Sequence, residues 1–173
     1  MQYKMILPAL LAIAMPFLGW GQELKYTIDG RIESDSALTG YIYLIGKGVK
    51  KDSVLLTNNS YHFSGIMEQP GVHVYLEWFD VPASEVKNED IAKYKDRDIG
   101  FFLSPSNVQI THTWPFSKAK ITGSPLQADI EAIQADVKAS QDVDGAVKRF
   151  ILAHPASWMS YLVLQDRAKA FGG

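Results

Sequence analysis

Two carboxylates three residues apart, Glu77 and Asp80, flank Trp78 and Phe79 in the stretch LEWFD, and they are the local acid pair set among aromatic rings in this sequence. Two acids facing one another across a cleft can hydrolyse a glycosidic bond, provided one has a raised pKa and keeps its proton to donate. A milder chemistry uses the rings alone, with Trp78 and Trp114 as platforms for a sugar and Asp80 beside them. Trp78, Asp80 and Trp114 are therefore the candidate ligand or partner surface. Both tryptophans also fall in register with apolar neighbours, Val74 and Leu76 before Trp78, Val108 and Ile110 before Trp114, which is the spacing of core side chains on a strand.

Other chemistries find less. His62, His73, His112 and His154 stand singly, and none forms an HxxxH pair on an expected helix. With no cysteine in the chain there is no disulfide, thiolate zinc site, lipid-bearing cysteine or redox CxxC. Gly46-Lys47-Gly48 is too short for a phosphate loop and sits between strands rather than ahead of a helix. No GxSxG stretch supplies a nucleophile elbow. The expectation is of no catalytic residue, no metal and no cofactor.

The elements that position these residues are short strands followed by helices. Leu24 to Glu33 alternates, with Leu24, Tyr26, Ile28 and Ile32 on one face and charged or polar residues on the other. Tyr41 to Ile45 is apolar on both faces, as a central strand would be. Gly46-Lys47-Gly48 and Asn58-Asn59 read as hairpin turns around Val49 to Thr57. Ser60 to Gly65 and Val72 to Phe79 continue the series, with Gln69-Pro70-Gly71 as a turn. Residues 80–98 break the rhythm with mixed charges; Ser84 is placed to cap a short helix, and the segment reads as a solvated excursion. Ile99 to Leu103, the turn Ser104-Pro105-Ser106-Asn107 and the strand from Val108 read as another hairpin. After a short strand, Ala119 to Ile121, Ser124 stands at an N-cap, Pro125 at the first helical position and Gln127 at the third, a capping box. Leu126, Ile130, Ile133 and Val137 form a helical stripe. Asp142 or Asp144 caps a second helix that buries Val147, Phe150 and Ile151 and stops at His154-Pro155. A third begins at Ser157, with Trp158, Tyr161, Leu162 and Gln165 on one side.

The expected fold is mainly β with C-terminal helices: an antiparallel β-sandwich or barrel-like meander over 22–123, then a helical segment over 124–173. Residues 1–21 read as a signal peptide, with Lys4 as its basic end, an apolar stretch from Met5 to Leu18 and small residues before Gln22. About 20 apolar residues are needed to span a bilayer, and this stretch is shorter. The expectation is a periplasmic or envelope protein, not a lipoprotein, with no stable membrane span after cleavage. The net charge of −2 argues against nucleic acid, whose phosphates call for a basic patch.

Together YTIDGRI, YIYLI, NNSYHFSG, QPGVHVYLEW, IGFFLSPSNVQIT and KITGSPLQADI resemble one family, domain of unknown function 4369. FILAHPASWMSYLVL is similar to the helical segment that commonly follows. In that family the exported module stands ahead of a thioredoxin-fold domain of TlpA or AhpC/TSA type, in thiol–disulfide interchange proteins. The resemblance implies a non-catalytic module that positions, dimerises or recognises partners for such a domain, in cis or as another envelope protein. Ser60 stands where the family often has Gly, and no redox residue has a counterpart here. The rival reading is a stand-alone ligand-binding sandwich, for glycans, using Trp78, Trp114 and residues 80–98.

Overall fold

The computed structural model describes residues 23–87, 92–113 and 115–171, so the expected signal peptide and Trp114 lie outside the described residues. Along them run β1 Lys25–Ile32, β2 Tyr41–Gly46, β3 Asp52–Leu55, β4 Ser60–Ile66, β5 Val72–Phe79, β6 Asp98–Leu103, β7 Asn107–Thr113 and β8 Lys118–Thr122. The helices α1 Pro125–Ser140, α2 Val143–Ala153 and α3 Trp158–Phe171 follow. The strands make two four-stranded sheets, β4-β1-β7-β8 and β3-β2-β5-β6. Alternation decides which side chains meet between them: Tyr26, Ile28 and Ile32 from β1 and Val108 and Ile110 from β7 face Ile42, Leu44, Val74, Leu76 and Phe101.

Strand pairing departs from the expected run of hairpins. The turn at Gly46-Lys47-Gly48 does join paired antiparallel strands, β2 and β3, with Gly48 at φ 90°. Asn58 and Asn59 also take positive φ, 50° and 58°, and Thr57 bridges Ser60, but the chain then changes sheets and β4 pairs with β1. Ser104–Asn107 likewise connects two sheets rather than a hairpin. β7 lies parallel to β1, so the first sheet is mixed and the second wholly antiparallel. Neither sheet closes into a barrel. In the 80–98 excursion a 3-10 turn, Ala83–Glu85, is capped by Pro82, and Ser84 lies inside it rather than at its start.

The first sheet depends on Gly30. A Cβ there would run into the ring of Tyr61, its partner across the strand pair. Without one, Tyr61 lies over β1 and its hydroxyl reaches His112 Nε2 on β7 at 2.6 Å.

The helices close an edge of the second sheet. Ser124 caps α1 by accepting from Gln127 N at 3.4 Å, but Gln127 does not complete the reciprocal half of the capping box. Its Oε1 accepts from Phe102 N at 3.0 Å instead, and Ser124 Oγ donates to Phe102 O at 2.7 Å. Phe102 sits on the edge strand β6, so both of its outward backbone groups are satisfied by the start of α1. Asp142 caps α2 through Gly145 N. The three helices bury a second cluster of Leu126, Ile133, Phe150 and Met159. α3 turns Met159 and Ser160 inward and leaves Tyr161 49% exposed, a different phase from the expected one. Trp158 Nε1 donates to Gly71 O at 3.1 Å, tying α3 to the start of β5.

Candidate functional site

β5 sends alternate residues to opposite faces, which separates the two acids of LEWFD from the ring between them. Trp78 points inward and is 5% exposed. Its indole N–H donates to Thr39 O at 3.3 Å, and the Arg97 guanidinium lies 4.6 Å from its ring centroid. Trp78 is therefore no exposed platform: its ring belongs to the core with the Arg97 guanidinium over it, while the residue also forms part of the wall of the cavity beside Glu77.

Glu77 faces outward, opposite Tyr43 on β2 and Asp98 on β6. Partial burial, with the charge of Asp98 added, pushes its carboxyl above the ordinary range, while Lys51 pulls the other way. Asp80 accepts a 2.7 Å hydrogen bond from the Tyr94 hydroxyl, which holds its carboxyl below the ordinary range. The carboxylate that confronts Glu77 is thus Asp98, and Asp80 serves to tether Tyr94. Nothing in the sequence marked Asp98, because its approach depends on the β5–β6 register.

Beside Glu77 lies a cavity of about 550 Å³, walled by Glu77, Trp78, Tyr94, Lys95, Arg97 and Asp98 among others. Ala83, Val86 and Ala92, from the described part of the excursion between β5 and β6, form its roof. Ala83 N donates to the Tyr43 hydroxyl at 2.9 Å, pinning that excursion to β2. Tyr94 packs on Phe79 with ring centroids 4.8 Å apart, and Phe79 meets Tyr43 edge to face at 5.6 Å. Trp78 N donates to Arg97 O at 2.9 Å, continuing the β5–β6 ladder and fixing where Arg97 begins. Arg97 Nη1 is shut off from solvent and, among the described residues, finds no hydrogen-bond partner. Asp80 Oδ2 is 3.8 Å away, close enough for an ion pair and too far to hydrogen-bond.

A second polar group is internal. His112 is fully buried, with Nδ1 2.8 Å from Phe116 O and Nε2 2.6 Å from the Tyr61 hydroxyl. A carbonyl only accepts, so Nδ1 carries the proton and Nε2 accepts from Tyr61 O–H. Burial lowers the His112 pKa to about 4 and raises that of Tyr61, keeping both neutral. This pair is a strut between β4 and β7. Elsewhere His62 bonds Asp29 on the exposed face at 2.7 Å, and His154 stacks on Phe150. Among the described residues no three His, Cys, Asp or Glu side chains are grouped to hold a metal. No described helix is long and apolar enough to cross a membrane.

Comparison with known proteins adds a family and little else. No curated protein matches the chain. Among solved structures, a candidate cell adhesion protein from Bacteroides ovatus ATCC 8483 is similar over 59% of this chain and 43% of its own, with 11% sequence identity and a TM-score of 0.29. The chain therefore spans less than half the length of that protein, and the likeness is too slight to carry an argument. The family profile described as Domain of unknown function (DUF4369) matches residues 26–130, from the second residue of β1 to the second turn of α1. That span takes in both sheets, the cavity and the latch on Phe102, and the chain belongs to the DUF4369 family.

Proposed function

We propose that the chain is a non-catalytic recognition module of the bacterial envelope, exported by residues 1–21, that holds a thioredoxin-fold oxidoreductase partner in a set orientation. The partner is a domain in cis or a separate envelope protein. The observation that supports this reading is the latch between layers. Ser124 and Gln127 grip Phe102 while Trp158 grips Gly71, so the helices cannot swing on the sandwich without stripping hydrogen bonds from an edge strand. A surface attached to α3 then keeps its angle to both sheets. Isothermal titration of the purified chain with a TlpA-type thioredoxin-fold domain, reduced and oxidised, tests the proposal. Saturable binding is expected, and heats of dilution alone in both redox states would refute it.

The cavity beside Glu77 favours a second reading, a ligand-binding sandwich. Its volume of about 550 Å³ falls within the range of small-molecule sites, roughly 300–1,000 Å³. The residues that would bind are those of the β5–β6 end, Trp78 among them, and the described part of the excursion.

A further inference from the structure

Each sheet has two edge strands, β4 and β8 in the first and β3 and β6 in the second, and β4 alone is unguarded. β8 carries Lys118 and Lys120, which keep other strands away. β3 is four residues long and opens with Asp52, and the outward backbone of β6 is taken at Phe102 by Ser124 and Gln127. The seven residues of β4, SYHFSGI, include no Lys, Arg, Asp, Glu or Pro, and its pairing with β1 runs one to one from Ile66 to Ser60 without a bulge.

The ladder shows which backbone groups β4 leaves open. Ile32 N donates to Asn59 O and Met67 N to Leu24 O, just beyond the two ends of the β1–β4 pairing. Antiparallel strands exchange bonds at every second pair, so Tyr61, Phe63 and Gly65 bond to β1, while Ser60, His62, Ser64 and Ile66 aim theirs away from it. Ser60 is already satisfied by Thr57, to which it donates and from which it accepts. Past Ile66 the strand ends, and Glu68 N donates to Gly48 O. The open stretch is therefore His62, Ser64 and Ile66, whose outward N–H and C=O groups have no partner among the described residues. Ile66 is also 55% exposed.

We propose that β4 pairs with β4 of a second copy of this chain, antiparallel about a two-fold axis at Ser64, so that the two first sheets become one. The open stretch is complementary to itself. His62 of one copy lies opposite Ile66 of the other, Ser64 opposite Ser64, and each of these three pairs exchanges two backbone hydrogen bonds. A slip toward Ser60 loses bonds, because Ser60 already holds Thr57, and a slip the other way runs past the end of the strand. No like charges meet across the axis, since the strand carries no carboxylate, ammonium or guanidinium and the His62 ring turns to Asp29 of its own chain at 2.7 Å. α1 touches β6 and β8, and β3 touches β4, so the helices lie at the other end of the sandwich. The pairing leaves both helical layers uncovered at the far ends of the dimer, and it depends on neither reading given above.

Sedimentation velocity of the purified chain over a range of concentrations tests the proposal. One strand pair is a small contact, so a dimer with a Kd of about 10–100 µM is expected. Ser64→Lys sets like charges opposite each other on the axis, and Ser64→Pro removes an outward N–H without touching a bond to β1. Each should weaken the dimer at least about tenfold while the melting temperature measured on dilute monomer changes little. The chain has no cysteine, so a single Ser64→Cys reports the axis directly. Residues opposite one another in a hydrogen-bonded pair have Cα atoms about 5.5 Å apart, within disulfide reach, and mild oxidation should link this variant into dimers. Lys120→Cys, on the other edge of the same sheet, should stay unlinked on the same timescale. If Ser64→Pro fails to fold, the Lys and Cys variants still decide the matter. A chain that stays monomeric at about 1 mM overturns the proposal. So does a dimer indifferent to Ser64→Lys, or one in which Lys120→Cys links as fast as Ser64→Cys.

Discussion

Acid should loosen this protein through a single imidazole. His112 is sealed between Tyr61 and Phe116, and its pKa of about 4 lies below the ordinary histidine value of 6.5. The unfolded chain therefore takes up a proton on this residue at a pH where the folded chain refuses it. The unfolded state binds more protons between pH 6.5 and about 4, so stability falls as the pH drops through that window and the contribution is fully present only above it. Between pH 7.5 and 4.5 the linkage relation gives a loss of about 2.5 kcal/mol from His112 alone. For a domain of this size that is a drop in Tm of about 5–10 °C. Other groups titrate in the same interval, so the measurement is a difference: guanidinium denaturation at both pH values for the wild type and for His112→Gln. A glutamine offers an N–H to Phe116 O and an acceptor to Tyr61, and it does not ionise. The variant should lose about 2.5 kcal/mol less than the wild type on acidification, whatever its stability at pH 7.5. Equal losses in the two proteins would show that His112 protonates freely in the folded state and that the sealed strut is wrongly described.

Gly30→Ala places a methyl group inside the ring of Tyr61 and should destabilise the chain by about 2–4 kcal/mol, read by denaturant melts; adding Tyr61→Leu should recover part of that loss. Gln127→Ala removes the acceptor on the outward amide of Phe102, so hydrogen exchange at that amide should quicken well beyond the global change of about 1 kcal/mol. Glu77→Gln should stabilise the protein at neutral pH. The folded pKa of Glu77 is raised, so its ionised form weakens the fold as the pH climbs through that pKa, and the gain should vanish in acid, where Glu77 is already neutral.

Much of the fold is legible in single residues. Val72 to Phe79 reads as a strand and is one residue for residue, because four apolar side chains alternate there without interruption. Ser124-Pro125 marks the start of α1, and Leu126 and Ile133 are its buried pair. Strand partners are another matter. Alternation fixes which face of a strand is buried and says nothing of which strand lies beside it, so Asn58-Asn59 and Ser104–Asn107 pass equally well for hairpins and for crossings between sheets. α3 misled for a different reason: WMSYLVL is apolar nearly all round, and no periodicity chooses between Met159 and Tyr161. At the candidate site the core position of Trp78 follows from its register with Val74 and Leu76. Asp98 and Arg97 do not, since they reach Glu77 and Trp78 only after the whole excursion has closed on the β5–β6 ladder.

The parallel pairing of β1 with β7 also governs when the molecule can exist at all. Thr27 Oγ1 bonds Asn107 Oδ1 at 2.9 Å, across 80 positions of chain, and β1 is flanked in its sheet by strands that arrive third and sixth after it. A chain emerging from the ribosome cannot pair β1 with β7 until Asn107–Thr113 is free or complete the first sheet until Lys118–Thr122 follows, and even then β6 waits for Ser124 and Gln127 to cover its edge. Such non-local pairing makes for slow folding, on the scale of milliseconds to seconds. For most of its synthesis this polypeptide is an open thread with strand edges exposed, a condition suited to passage through a narrow channel and hazardous anywhere that similar threads are crowded together.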